Sequence, residues 1–193
     1  MRLPIRIGLL VLAAAMALSA CGGSEAYRST AQGKFQGDLD VRWVRNDFFL
    51  FVPSKDNPLT FTRANGRKIT PGVIYTDGGS IPQFLWGVKG FSPWGYAPAY
   101  VIHDWLFEAQ HCKYEPDKQF TFGQAADVLA EGLKTIMEAD TEVKNYFVFD
   151  SVYLAVQSPI ARKRWDEGEC KPLADTLTPG GPLGELIMTI RFR

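Results

Sequence analysis

The amino-acid sequence predicts an α+β domain, with a small antiparallel sheet in the N-terminal half packed against about three helices in the C-terminal half. Two observations lead there. Between Phe35 and Tyr75, short apolar stretches alternate with polar residues and are bounded by turn-forming residues, the pattern of strands. From Pro98 onward, apolar residues recur at helical spacing through longer segments, the pattern of amphipathic helices.

The elements follow in order. Leu39, Val41, Trp43 and Val44, then residues 48–52, read as two strands joined by a hairpin at Arg45-Asn46-Asp47. Residues 59–62 form a short alternating strand, and residues 68–75 another, which Pro71-Gly72 confines to an edge or a bulge. Residues 98–110 are apolar almost all round, as in a buried helix, with Pro98 in the first turn where a missing N–H costs nothing. Residues 122–139 place Phe122, Ala126, Leu129, Leu133, Ile136 and Met137 on one stripe. Residues 142–157 are a third helix, broken at Ser158-Pro159, with a short basic continuation over 160–167. After a Pro/Gly loop at 178–182, residues 185–192 alternate. A strand returning to the sheet and a frayed tail are both open there.

Ahead of the domain stands a targeting segment, residues 1–20. Arg2 and Arg6 precede an apolar run, 7–18, that is short for a membrane span. Leu18-Ser19-Ala20-Cys21 resembles the bacterial lipobox, which implies that Cys21 is lipidated and becomes the mature N-terminus; an ordinary secretory cleavage site is the alternative. Each buried acyl methylene contributes roughly 0.8 kcal/mol, so several chains hold firmly. The partner this implies is a lipid bilayer. With Gly22 rather than aspartate after the cysteine, the expected location is the outer membrane, facing the periplasm. Residues 21–33 are small and polar and read as a flexible tether to a single domain over 34–193. Without Arg2 and Arg6, 21 basic residues become 19 against 21 acidic ones, a net charge of −2 that gives no drive toward nucleic acid. The remaining cysteines, Cys112 and Cys170, are candidates for a disulfide in an oxidising compartment, since neither has the spacing of a metal ligand pair.

The candidate site lies between Tyr75 and Cys112. Thr76-Asp77-Gly78-Gly79-Ser80 is a turn whose paired glycines let backbone groups approach an ion or oxyanion, with Asp77 offering a hard oxygen and Ser80 a hydroxyl. A tight turn bonding its own backbone is the plainer reading. His103 and Asp104 follow on the helix, diverging by about 100°. His103 falls on the apolar face, where it is either a general base or a core histidine held by a backbone carbonyl. Asp104 stands at the edge of that face, able to ligate a metal, orient a side chain or cap a loop. Asp127, one position past the stripe of the next helix, is a supporting candidate. Asp104, Glu108 and His111 recur along one face, which a polar helix surface explains more simply than chelation. The sequence fixes no cofactor; a divalent cation such as calcium, held by Asp77 and Asp104, suits these groups.

Together, residues 76–82 (TDGGSIP), Trp86, His103-Asp104-Trp105-Leu106-Phe107 and Ala125-Ala126-Asp127 resemble the TDGASIP, HDxLY and AD motifs of the DUF1353 family of phage and bacterial proteins. The resemblance spans about residues 35–165. Gly79 and Phe107 depart from the pattern, standing where alanine and tyrosine are usual. The family brings no established activity; it implies only that Asp77, Ser80, His103, Asp104 and Asp127 belong to one signature. The loop and His-Asp pair are also similar to those of secreted phospholipases A2, where the histidine is base and the aspartate binds calcium. Those enzymes, however, are mainly helical and disulfide-rich. Two functions are thus open: an envelope hydrolase of phospholipid or peptidoglycan using His103, Asp77 and Ser80, or a non-catalytic envelope or phage-related lipoprotein whose motifs form a structural hydrogen-bond network.

Overall fold

Strand β1 (Lys34–Arg45) is the spine of the sheet because it is long enough to pair along both edges. The computed structural model describes residues 24–45, 48–75, 95–170 and 184–192. Antiparallel to β1 run β2 (Phe48–Pro53), β3 (Thr60–Thr62) and the C-terminal β6 (Glu185–Phe192). The short strands β4 (Lys68–Ile69) and β5 (Ile74–Tyr75) extend the order to β4-β3-β1-β2-β5, with β6 on β1. Phe35, Leu39 and Val41 alternate inward along β1, as the two-residue period requires. Between β2 and β3 the chain loops out, and the Ser54 and Leu59 amides both donate to the Asp38 carbonyl, at 3.0 and 3.2 Å. Gly37 at this irregularity has φ +92°, and a Cβ there would lie 2.2 Å from the Pro58 carbonyl oxygen. Only glycine fits.

The returning strand, rather than a frayed tail, is what residues 185–192 form. Thr189 Oγ1 donates to Asp40 Oδ1 at 2.7 Å across the β1–β6 pair.

The helical layer contains α2 (Ala97–Cys112), α3 (Phe122–Ala139), α4 (Tyr146–Val156) and α5 (Pro159–Glu167). Thr121 and Gln124 close a reciprocal capping box at the start of α3. The expected continuation after Ser158-Pro159 is a separate helix because Ser158 Oγ accepts from the Ala161 amide and Pro159 takes its first turn. Helices α2 and α3 cross closely at Gly132, where a Cβ would meet that of Ala99 at 2.9 Å and the Phe35 ring at 3.4 Å. One continuous core results, joining Phe35, Leu39 and Phe61 of the sheet to Ile102, Leu106, Leu129 and Leu133. Cys112 and Cys170 are disulfide-bonded, with Cα atoms 4.7 Å apart, fastening the end of α2 to the chain beyond α5.

The tether expected over 21–33 is not one from Ser24 onward. Residues 25–29 form a short helix, α1 (Glu25–Ser29), whose Tyr27 is 4% exposed. Tyr27 packs edge-on against Tyr146 and Phe149, and its hydroxyl donates to Glu138 Oε1 at 2.6 Å. Lys134 Nζ donates to the Tyr27 and Thr30 carbonyls at 2.8 and 2.6 Å, meeting groups a helix end leaves unsatisfied. One tyrosine amid small polar residues was too weak a signal against the composition around it. Burying that single ring, with lysine and glutamate partners a hundred residues away, decides the matter.

Candidate functional site

His103 is set on the buried face of α2, 5% exposed, by the apolar pattern of residues 97–109. Its Nδ1 lies 3.1 Å from the Ala125 carbonyl oxygen in the first turn of α3. A carbonyl only accepts, so Nδ1 carries the proton and donates, leaving Nε2 as the acceptor. The ring packs on Phe107, which in turn meets Trp165 edge-on at 4.9 Å between centroids. Burial lowers the imidazole pKa to about 4, and the Ala125 bond only partly offsets this. At neutral pH the group is therefore uncharged and a weak base.

The neighbouring motif residues take other directions. Asp104 is half-buried beside Tyr100, whose hydroxyl is raised well above its ordinary range, first by burial and then by Tyr96 and Asp104. Trp105 donates from Nε1 to Asp117 Oδ2 at 2.7 Å and stacks on Tyr114. A Cβ on Gly72 would strike the Trp105 ring at 2.9 Å, so the indole closes directly on the chain leading into β5. Burial raises the Asp117 carboxyl, opposed by the Trp105 bond and by Arg67. The residues Asp77 and Ser80 lie outside the described residues, as does Cys21.

Asp127 is not beside His103's partner-bearing ring edge but on the open side of α3, exposed, accepting from the Tyr153 hydroxyl at 2.9 Å. Burial, then this bond, pushes Tyr153 up to about 12. The two line a recess of about 290 Å³ together with Ala26, Ser29, Thr30, Ala31, Ala130 and Glu131. Glu131, on its wall, is held by an ion pair: Arg63 Nε donates to Glu131 Oε2 at 3.0 Å and Arg63 Nη2 to Oε1 at 2.7 Å, with Arg63 9% and Glu131 8% exposed. The Glu131 bond raises Arg63, over the opposing effect of burial, and Asp127 adds to it. Carboxylate, hydroxyl and methyl groups mix on the walls.

Sequence reasoning missed this recess, since its α1 wall was read as tether. It also missed Arg63 and Glu131. The readable signal was Glu131 within residues 128–133 (VLAEGL), a lone charge among small and apolar neighbours that burial obliges to find a cation.

Metal chemistry has one candidate cluster among the described residues: Glu108, Cys112 and Cys170, with ligand atoms within 4.8 Å of one another. Both sulfurs are consumed by the disulfide and carry no thiolate for a metal. Glu108 Oε1 lies 3.1 Å from Cys112 Sγ. A bridged sulfur has no proton to give, so only the protonated carboxyl can donate there, and burial raises Glu108 in that direction. His111 Nε2 is committed to the Arg164 and Trp165 carbonyls at 3.0 and 3.3 Å.

Comparison with known proteins adds no relative. No family model, curated protein or solved structure matches the chain. Among the described residues no helix is long and apolar enough to cross a membrane.

Proposed function

We propose that the chain is a lipoprotein anchored through Cys21 in the outer membrane, facing the periplasm and related to the DUF1353 proteins. It acts there by binding an envelope component rather than by hydrolysis. In this reading the His-Asp motif serves the fold, joining α2 to α3. The observation that carries it is the commitment of His103: its one N–H goes to the Ala125 carbonyl, and burial keeps the ring neutral with a pKa of about 4. The recess beneath α1, with Asp127 and Tyr153, is the place for a small polar ligand group. The Cys112–Cys170 bond fits an oxidising compartment.

Two substitutions test the role of His103. Asparagine places an amide N–H near the position of Nδ1, whereas alanine does not. If the histidine is structural, His103→Ala lowers the unfolding midpoint and His103→Asn restores much of it. A catalytic base predicts the opposite division: both variants fold, and both lose a measurable cleavage of phospholipid or peptidoglycan by the parent chain. That second outcome overturns the proposal.

A further inference from the structure

Resting on the reading of Cys21 as a lipid anchor, we propose that the outward face of α4, with Phe147 and Leu154, and the first turn of α5, with Ile160, docks in the bilayer interface. Helix α4 is apolar on two sides. Val148, Phe149, Val152 and Val156 face the core, while Phe147 and Leu154 are 70% and 74% exposed. Ile160, just beyond the Ser158-Pro159 break, is 70% exposed. Large apolar side chains on the outer side as well leave apolar surface for a partner to cover.

The anchor decides what covers this one. Ser24 Oγ donates to Asp150 Oδ1 on α4 while also accepting from the Tyr27 amide as the cap of α1. Asp150 stands three residues after Phe147 and four before Leu154, the separations that make neighbours on a helix surface, and Phe147 and Leu154 share a face at seven residues apart. Cys21 is three residues from Ser24, and so within about 11 Å of it at full extension. With α1 pinned by Lys134 and Glu138, there is no long tether to let the domain swing free of its lipid. An acylated Cys21 therefore brings the membrane surface alongside the Phe147–Leu154 ridge. The occupant is lipid rather than a polyanion, because the nearby basic groups are already paired: Arg162 with Asp166 at 2.6 Å and Lys163 with Glu167 at 3.7 Å. Insertion of apolar side chains beside the acyl chains is the mode this chemistry supports.

The test uses the full processed chain in vesicles of phosphatidylethanolamine and phosphatidylglycerol. A spin label is placed at Leu154→Cys, with Lys55→Cys, in the loop between β2 and β3, as control. The acylation state of Cys21 is read independently by mass. The expected result is that the label at 154 loses its access to a water-soluble relaxation agent and gains access to a lipid-soluble one, while the label at 55 stays in water. An acylated chain whose label at 154 remains as wet as that at 55 overturns the docking face and leaves the anchor standing. An unacylated chain with a wet label at 154 overturns both. Protection from the aqueous agent without access to the lipid-soluble one, accompanied by label–label broadening, means that a second copy covers the ridge, and this also overturns the proposal.

Discussion

Helix α3 carries two polar stations of opposite character. At its first turn, the Ala125 carbonyl receives His103 in a sealed, neutral contact with aromatic rings on the far side. Two residues later, Asp127 faces the open recess and holds a tyrosine hydroxyl, sharing that recess with Glu131, whose ion pair with Arg63 is buried. His103 of α2 and Asp127 of α3, which read as parts of one site in the sequence, thus meet different neighbours. Buried polar groups that are fully matched stiffen a fold, whereas exposed ones with room beside them can exchange partners with a ligand. This difference is why the proposed binding is assigned to the Asp127 side and a structural role to the His103 side.

The largest effect is expected at the buried ion pair that holds Glu131 of the recess. Arg63→Ala leaves the Glu131 carboxylate buried without its cation and should lower unfolding stability by about 3–5 kcal/mol in a denaturant titration. Replacing both partners by apolar residues of similar size should cost far less, because no charge is stranded. If Arg63→Ala is nearly neutral, Glu131 is not rigidly held at the wall of the recess and the contrast between the two stations fails.

The sealed station is sharpened by pH. His103 has a folded-state pKa of about 4, below the ordinary 6.5 that it regains on unfolding. The unfolded chain therefore binds the extra proton in that window, and stability falls as the pH is lowered. The neutral histidine's contribution is complete above about pH 6.5 and is lost as pH falls toward 4, a change on the order of 3 kcal/mol. Chemical denaturation at a series of pH values reads this slope, and His103→Asn should flatten it. A slope that survives the substitution assigns the acid sensitivity to other groups.

The smallest effect belongs to the open station. Tyr153→Phe removes one part-exposed hydrogen bond and should cost about 0.5–1.5 kcal/mol by thermal unfolding. A much larger loss would mean that Asp127 and Tyr153 are structural as well, and the recess would lose its claim as a binding place.

Much of the architecture was legible before any coordinates. Alternation along residues 35–62 and the stripe on 122–139 each encode a burial period, and period is local information. The burial of His103 and the exposure of Asp127 followed from the same reasoning. What could not be read was partnership. The Ala125 carbonyl, the Tyr153 hydroxyl and the Arg63 guanidinium are separated from their partners by 22, 26 and 68 residues. No periodicity carries such pairings.

By itself, then, the sequence determined an α+β domain, its helix and strand order and which faces turn inward, because these depend on spacing along the chain. Tertiary structure alone decided that Ser24 to Ser29 belong to the body of the protein, that Glu131 meets Arg63, and that His103 and Asp127 serve different neighbourhoods. The physical reason is common to all three. A buried polar group is fixed by whichever complementary group the packing of other elements brings within hydrogen-bonding distance, and that choice is made in space rather than along the chain.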